Sequence, residues 1–223
     1  MPHAAAIGMG AGRLDRRRLK PRGAEPIIRQ MAPDRTLAPA VFLDRDGTLI
    51  SPPVEEEALR TPGEVELLRG AAHAVGMLRR HGYLCVVASN QRGVALGLVT
   101  EDELMAVDLQ VRMQLGGLDA SYYCTHAIGQ SCDCRKPEPG LLYRAAAELG
   151  IDLGASWMIG TKHTDIDAGR AAGCRTIRVQ PVDFSLLDAA HSIIAGIAQP
   201  AWTAEPSCTS VLNPVKKIIS IVP

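Results

Sequence analysis

The stretch Val41-Phe42-Leu43-Asp44-Arg45-Asp46-Gly47-Thr48-Leu49 decides how the rest of the chain is read. An apolar run of strand length, Val41–Leu43, ends in two carboxylates spaced two apart, which lead into a glycine turn. Working outward, apolar strand-like runs alternate with segments of helical period. Val65, Leu68, Ala72, Val75 and Leu78 predict a helix over 64–81, stopped by Gly82. A strand is expected over 83–88. A helix over 100–115 follows, opened by a Thr100/Glu103 capping box and closed by Gly116-Gly117. Strands over 120–123, 157–159 and 176–179 alternate with helices over 141–149 and 165–172, and 185–197 reads as a terminal helix. That alternation predicts an α/β fold with a mainly parallel, Rossmann-like sheet flanked by helices. In such sheets ligands gather outside the carboxyl ends of the strands, which is where Asp44, Ser89, the Cys124 segment and Gly160 fall.

Composition narrows the classes. Of 223 residues 47% are apolar, which excludes wholesale disorder. No apolar run approaches the roughly 18 residues of a membrane span. Basic and acidic side chains balance at 24 each, which excludes a uniformly basic nucleic-acid binder. The balance hides an asymmetry. Residues 1–39 carry eight basic and three acidic side chains; the remaining 184 carry 16 and 21. Pro21, Pro26, Pro33 and Pro39 break any amphipathic pattern there, so residues 1–39 are expected to be a disordered basic tail. No secretory signal is expected, because the Ala/Gly-rich start precedes the basic run. Six cysteines are too few for a disulfide scaffold and fit a reducing, cytoplasmic setting. The domain is expected to span 40–181, with 182–223 as a helix and a weakly ordered tail beyond Pro200.

The carboxylate pair suits phosphoryl chemistry. Asp44, at a strand end, can attack an electrophile such as phosphorus. Asp46, just past it, can protonate the leaving oxygen and then activate water. Two acids and a phosphate repel one another, so a divalent cation with hard oxygen ligands, Mg²⁺, is expected. Ser89-Asn90-Gln91 follows the second strand, where a hydroxyl and backbone N–H groups can hold a phosphoryl oxygen. Arg135-Lys136 offers a planar fork and a point charge to the same group. Cys124-x-His126 and Cys132-x-Cys134 place three sulfurs and an imidazole within eleven positions, the donor set of a closed, structural Zn²⁺ site. Cys85 and Cys174 read as core thiols, and Cys208 has no partner in view.

Phe42–Thr48, Ser89-Asn90-Gln91-x-Gly93, Cys124-x-His126 and Cys132-x-Cys134-Arg135-Lys136-Pro137, in this order, resemble the haloacid dehalogenase-like superfamily. Within it they are similar to the D-glycero-D-manno-heptose 1,7-bisphosphate phosphatases, with the zinc loop shared by the histidinol-phosphate phosphatases. The resemblance covers 40–180. It implies a fold without a large cap domain and an aspartyl-phosphate on Asp44, with Asp46 as acid and base. It also implies Mg²⁺ on the Asp44 carboxylate and the Asp46 carbonyl, Ser89 and Lys136 on the phosphoryl group, and Arg135 on the rest of a small phosphorylated metabolite. A monomer is the expectation.

The fourth motif departs. Its family pattern is Gly-Asp-Lys-x-x-Asp, and the chain reads Gly160-Thr161-Lys162-His163-Thr164-Asp165. Lys162 and Asp165 match, and Thr161 stands where a metal-binding Asp is expected. Three readings stay open: Asp165 joins the Mg²⁺ shell, the protein works at raised Mg²⁺, or it binds phosphosugars with impaired turnover.

Overall fold

Six parallel strands lie in the order β5-β4-β1-β2-β3-β6. The strands are β1 Ala40–Leu43, β2 Leu84–Asn90, β3 Ala120–Cys124, β4 Trp157–Gly160, β5 Arg175–Arg178 and β6 Ile218–Val222. The helices are α1 Ala71–Arg80, α2 Glu101–Gln114, α3 Gly140–Leu149, α4 His163–Ala171 and α5 Leu186–Ile194. The structure, a computed structural model, describes residues 37–53, 58–180 and 183–196 and the backbone of strand 218–222. Of the basic tail read over residues 1–39, residues 1–36 lie outside the described residues, as does Cys208, while Ala38 N donates to Gly150 O and Pro39 O accepts from Leu84 N.

Burial explains the strands. Every residue of β1 is fully buried, and its side chains alternate between two cores. Val41 and Leu43 join one core with Val75 and Leu78 of α1, Val107 and Val111 of α2 and Ile193 of α5. Ala40 and Phe42 join the other with Leu141, Leu142 and Ala145 of α3. A strand covered on both faces reads as an unbroken apolar run, as Ala40–Leu43 does. Helices α2 and α5 carry side-chain start signals. Thr100 accepts from the Glu103 N–H and Ser185 from the Asp188 N–H, while the matching carboxylates reach back to the cap N–H groups.

Two expectations are corrected. The helix read over 64–81 begins only at Ala71. Residues 65–68 keep helical spacing but pair with the chain just after the carboxylates: Leu68 N donates to Leu49 O, Ser51 N to Glu66 O, and Leu67 bridges Ile50. Gly70, at φ +83°, then turns the chain into α1. The tail beyond Pro200 was expected to be weakly ordered, yet Ile218–Val222 pairs in register with β3 from Ala120↔Ile218 to Cys124↔Val222. Its β-branched residues suit a parallel strand. Among the described residues no helix is long and apolar enough to cross a membrane.

β1 runs to β2 and β3 on one side, and the chain then returns to β4 and β5 on the other. The switch point therefore lies between β1 and β4, beyond whose carboxyl ends stand Asp44 and Thr161. Helix α4 lies close against β4 and β5 because Gly169 has no side chain: a Cβ there would sit 2.6 Å from Met158 Cβ and 2.7 Å from Thr176 Cγ2. Gly169→Ala gains about 1 kcal/mol of helix propensity but overpacks this contact. A net loss of roughly 1–3 kcal/mol in urea unfolding is expected; a raised unfolding midpoint would contradict the packing argument.

Candidate active site

The site is built around one buried ammonium. Lys136 Nζ lies 2.9 Å from Asp44 Oδ1 and 2.6 Å from Asp165 Oδ1, and donates to Ala88 O at 2.7 Å. All three side chains are almost fully buried. Asp44 reaches this point because its N–H donates to Ile159 O, continuing β1 one residue along β4. Ser89, at the end of β2, donates its hydroxyl to Asp44 Oδ1 at 2.7 Å. Both contacts on Asp44 thus fall on Oδ1. Burial pushes the Asp44 carboxyl up, but Lys136, the charge of Lys162 and the Ser89 hydroxyl together hold it below the usual carboxylate range. Burial and the neighbouring Asp44 charge push Asp165 above that range, against the pull of Lys136. The two acids hold Lys136 protonated despite its burial.

Asp165 has both oxygens engaged, the second accepting from Lys162 N at 2.9 Å. Gly160 makes room for it, since a Cβ there would collide with Asp165 Oδ2. Thr161 lies against the turn after the carboxylates, close to Gly47. Lys162 is exposed at the rim, and its charge is felt at Asp44.

Asp46 sits on the far side of the turn. Arg45 Nε donates to its Oδ1 at 2.8 Å, and Gln91 Nε2 donates to its Oδ2 at 2.7 Å. Gln91 Nε2 also reaches Ser89 Oγ at 3.2 Å, so one amide links the partners of both carboxylates. Asn90 has a different task from its neighbours. Its side chain donates to Lys136 O at 3.0 Å and accepts from Lys136 N at 3.1 Å, which clasps the backbone that carries the lysine.

The four Cys and His residues converge beside that clasp. The metal-ligating atoms of Cys124, His126, Cys132 and Cys134 all lie within 4.8 Å of one another. Cys124 Sγ and Cys134 Sγ are 3.4 and 3.3 Å from His126 Nδ1, and Cys124 Sγ is 3.9 Å from Cys132 Sγ. A tetrahedral Zn²⁺ with Zn–S of about 2.3 Å and Zn–N of about 2.0 Å has edges of roughly 3.5–3.8 Å, so the donors present fit that ion. Burial pushes the Cys124 and Cys134 thiols up, and a divalent cation would offset the cost of ionising sulfurs so close together. The loop is tied to the site at both ends. Cys124 O accepts from Gln91 N, and Arg135 Nη1 donates to His126 O. Cys85 and Cys174 are buried free thiols, as read.

The sequence reading assigned Arg45 no role. Its guanidinium is 1% exposed and lies over the Tyr123 ring, Cζ to centroid 5.7 Å. The one available signal was its place between two aspartates.

A parallel α/β sheet with two carboxylates at the end of its central strand, a serine after the next and a buried lysine between is the arrangement of a haloacid dehalogenase-like phosphatase. The family model described as "HAD-hyrolase-like" matches residues 133–192. D-glycero-beta-D-manno-heptose-1,7-bisphosphate 7-phosphatase of Photorhabdus laumondii is 35% identical over 175 residues, covering 72% of this chain and 92% of that protein. The enzyme of that name from Escherichia coli K12 is 37% identical over 149 residues, 62% of this chain and 76% of its own. The crystal structure of D,D-heptose 1,7-bisphosphate phosphatase from B. bronchiseptica, complexed with magnesium and phosphate, is 27% identical with a TM-score of 0.65, covering 71% of this chain and 99% of that one. The chain belongs to the D-glycero-D-manno-heptose 1,7-bisphosphate 7-phosphatase family of haloacid dehalogenase-like hydrolases.

Metal analysis of the purified protein is expected to find about one equivalent of zinc, absent from a Cys132→Ser/Cys134→Ser variant. Chelation is also expected to loosen the Arg135–Lys136 segment, seen as faster amide exchange over residues 124–137. A fully folded, metal-free wild type would contradict the zinc assignment.

Proposed function

We propose that this chain is a Mg²⁺-dependent phosphomonoester hydrolase that removes one phosphate from D-glycero-D-manno-heptose 1,7-bisphosphate through an aspartyl-phosphate on Asp44. The observation that carries this reading is the convergence of Ser89 and Lys136 on one oxygen of a buried, ionised Asp44. Those contacts orient the carboxylate, and the oxygen they leave outside the pair is the attacking atom. In the first step Asp44 bonds to phosphorus as the bond from phosphorus to the sugar oxygen breaks, and Asp46 gives that oxygen its proton. In the second, water attacks phosphorus and hands a proton to Asp46, and the Asp44 carboxylate leaves. Lys136 and Ser89 give their donors to Asp44 in this structure; as Asp44 bonds to phosphorus and loses its charge, those donors turn to the adjacent phosphoryl oxygens, where charge then lies. Arg135 and Lys162 read the remainder of the anionic substrate. Asn90 and Gln91 act behind them, one on the Lys136 backbone and one between Ser89 and Asp46.

Hard oxygen donors fit Mg²⁺, and the Asp44 carboxylate and Asp46 backbone carbonyl would hold it. When bound, it supplies positive charge against the phosphoryl oxygens. Thr161 adds no anionic ligand, and Asp165 already shares its charge with Lys136. The reading therefore includes a raised Mg²⁺ requirement. A second reading, a phosphosugar-binding homologue with impaired turnover, is favoured by Thr161 alone. Histidinol phosphate is the alternative substrate. The catalytic unit on this proposal is the domain read over 40–181 with its zinc loop 124–134, together with α5, which packs into its core, and Ala38 and Pro39, which bond to it, acting as a cytoplasmic monomer that does not need the rest of the basic tail.

Phosphate release from both substrates over a Mg²⁺ titration tests the proposal. Release from the heptose bisphosphate is expected, abolished by Asp44→Asn, and reaching half-maximum at lower Mg²⁺ in Thr161→Asp. Wild type inert at all Mg²⁺ concentrations, with activity restored by Thr161→Asp, would instead establish the binding homologue.

A further inference from the structure

The proposed reaction places its proton traffic on Asp46, the less buried of the two carboxylates, with a side-chain exposure of 14% against 3% for Asp44. A turn aspartate facing solvent is ordinarily free to change rotamer. This one is held at both oxygens: Arg45 Nε and Nη2 grip Oδ1 and Oδ2 at 2.8 and 3.2 Å, and Gln91 Nε2 adds a second donor to Oδ2. Arg45 Nη2 also donates to Gln91 Oε1 at 2.9 Å, so the two holders brace each other.

The guanidinium sits there at a cost. Long basic side chains normally carry their heads outward to water, whereas Arg45 is 1% exposed, with Nη1 lacking a hydrogen-bond partner. An unmet buried donor is costly because its bond to water is given up with nothing in return. A side chain serving only the turn would avoid that penalty by leaving the interior. The interior is also prepared for it. The Tyr123 ring lies beneath the guanidinium, and the Tyr123 hydroxyl donates to Asp108. Asp108 pairs with Arg112 at 2.6 Å, and Arg112 Nη2 donates to Ser121 at 2.8 Å. The contacts run without a gap from Asp46 to helix α2.

The geometry points to Arg45, braced by Gln91 and backed by Tyr123, as the positioning residue that fixes the Asp46 carboxylate where it exchanges protons with the leaving oxygen and with water. This rests on the phosphomonoesterase reading above. It predicts a dependence on leaving group that a merely structural arginine would not produce. An alkoxide leaving from a sugar phosphate needs a proton, while nitrophenolate leaves as the anion.

The test compares wild type with Arg45→Lys, which keeps the charge and loses the fork. Two quantities are read: single-turnover release of nitrophenolate from p-nitrophenyl phosphate, and steady-state kcat and KM on the heptose bisphosphate. The nitrophenolate burst is expected to stay within about threefold of wild type, while kcat on the sugar phosphate falls by about 100-fold with KM little changed. Arg45→Gln, which keeps an amide donor near Asp46 without the buried charge, is measured alongside, with the same split expected, so the test stands if Arg45→Lys does not fold. Equal losses on both esters, or an unchanged kcat on the sugar phosphate, overturn the proposal while leaving the phosphatase reading intact. Wild type inert toward both esters overturns that reading and this proposal with it.

Discussion

One ammonium group shared by two carboxylates organises this molecule. Lys136 is buried between Asp44, just past β1, and Asp165 in the first turn of α4, positions that the chain visits some 120 residues apart. An isolated buried charge is expensive, and removing one partner of such a cluster typically costs about 3–5 kcal/mol because the others are left unpaired. The surrounding structure exists to make the meeting possible. Gly169 lets α4 settle on the sheet, Gly160 leaves space for Asp165, and Asn90 clasps the backbone on which Lys136 stands. The cluster of Cys124, His126, Cys132 and Cys134 gathers the loop that leads into it.

On the proposed reading, two kinds of metal chemistry are separated in space and role. The sulfur-rich cluster has four protein donors, no place for water, and a connection to Arg135 through the His126 carbonyl. It shapes the loop. The oxygen-rich site at Asp44 and Asp46 is open, and there the charge balance is unusual for the family pattern. With Thr161 in place of an aspartate, the fixed positive charges of Lys136 and Lys162 meet fewer anions than the pattern supplies. On that reading, a substrate phosphate would face a more cationic but less strongly metal-binding site.

Much of this was legible in the sequence, for reasons that differ by residue. Asp44, Ser89 and Lys136 were readable because each follows a strand-sized apolar run or a ligand pair, and strand ends in a parallel sheet share one crevice. The convergence of Cys124, His126, Cys132 and Cys134 was readable from spacing alone. Residues 65–68 misled because their apolar spacing fits a helix, and only their pairing with residues 49–51 shows otherwise. Strand β6 was missed because its partner, β3, is nearly a hundred residues away. Arg45 stood within the quoted motif, but its burial depends on Tyr123, Asp108 and Arg112, which no local pattern connects to it. Asp165 was seen as a metal ligand; its engagement with Lys136 needed the fold.

The central claim is that Asp44 is the nucleophile which this charge cluster holds ready. It is tested most directly by trapping the covalent intermediate. An Asp46→Asn variant, unable to take the proton from water, is incubated with p-nitrophenyl phosphate and Mg²⁺, quenched in acid and mapped by mass spectrometry. The expected result is phosphate on the peptide containing Asp44, in amount equal to the nitrophenolate released. Nitrophenolate release with the phosphate on another residue, or with no phosphate on the protein at all, would contradict it.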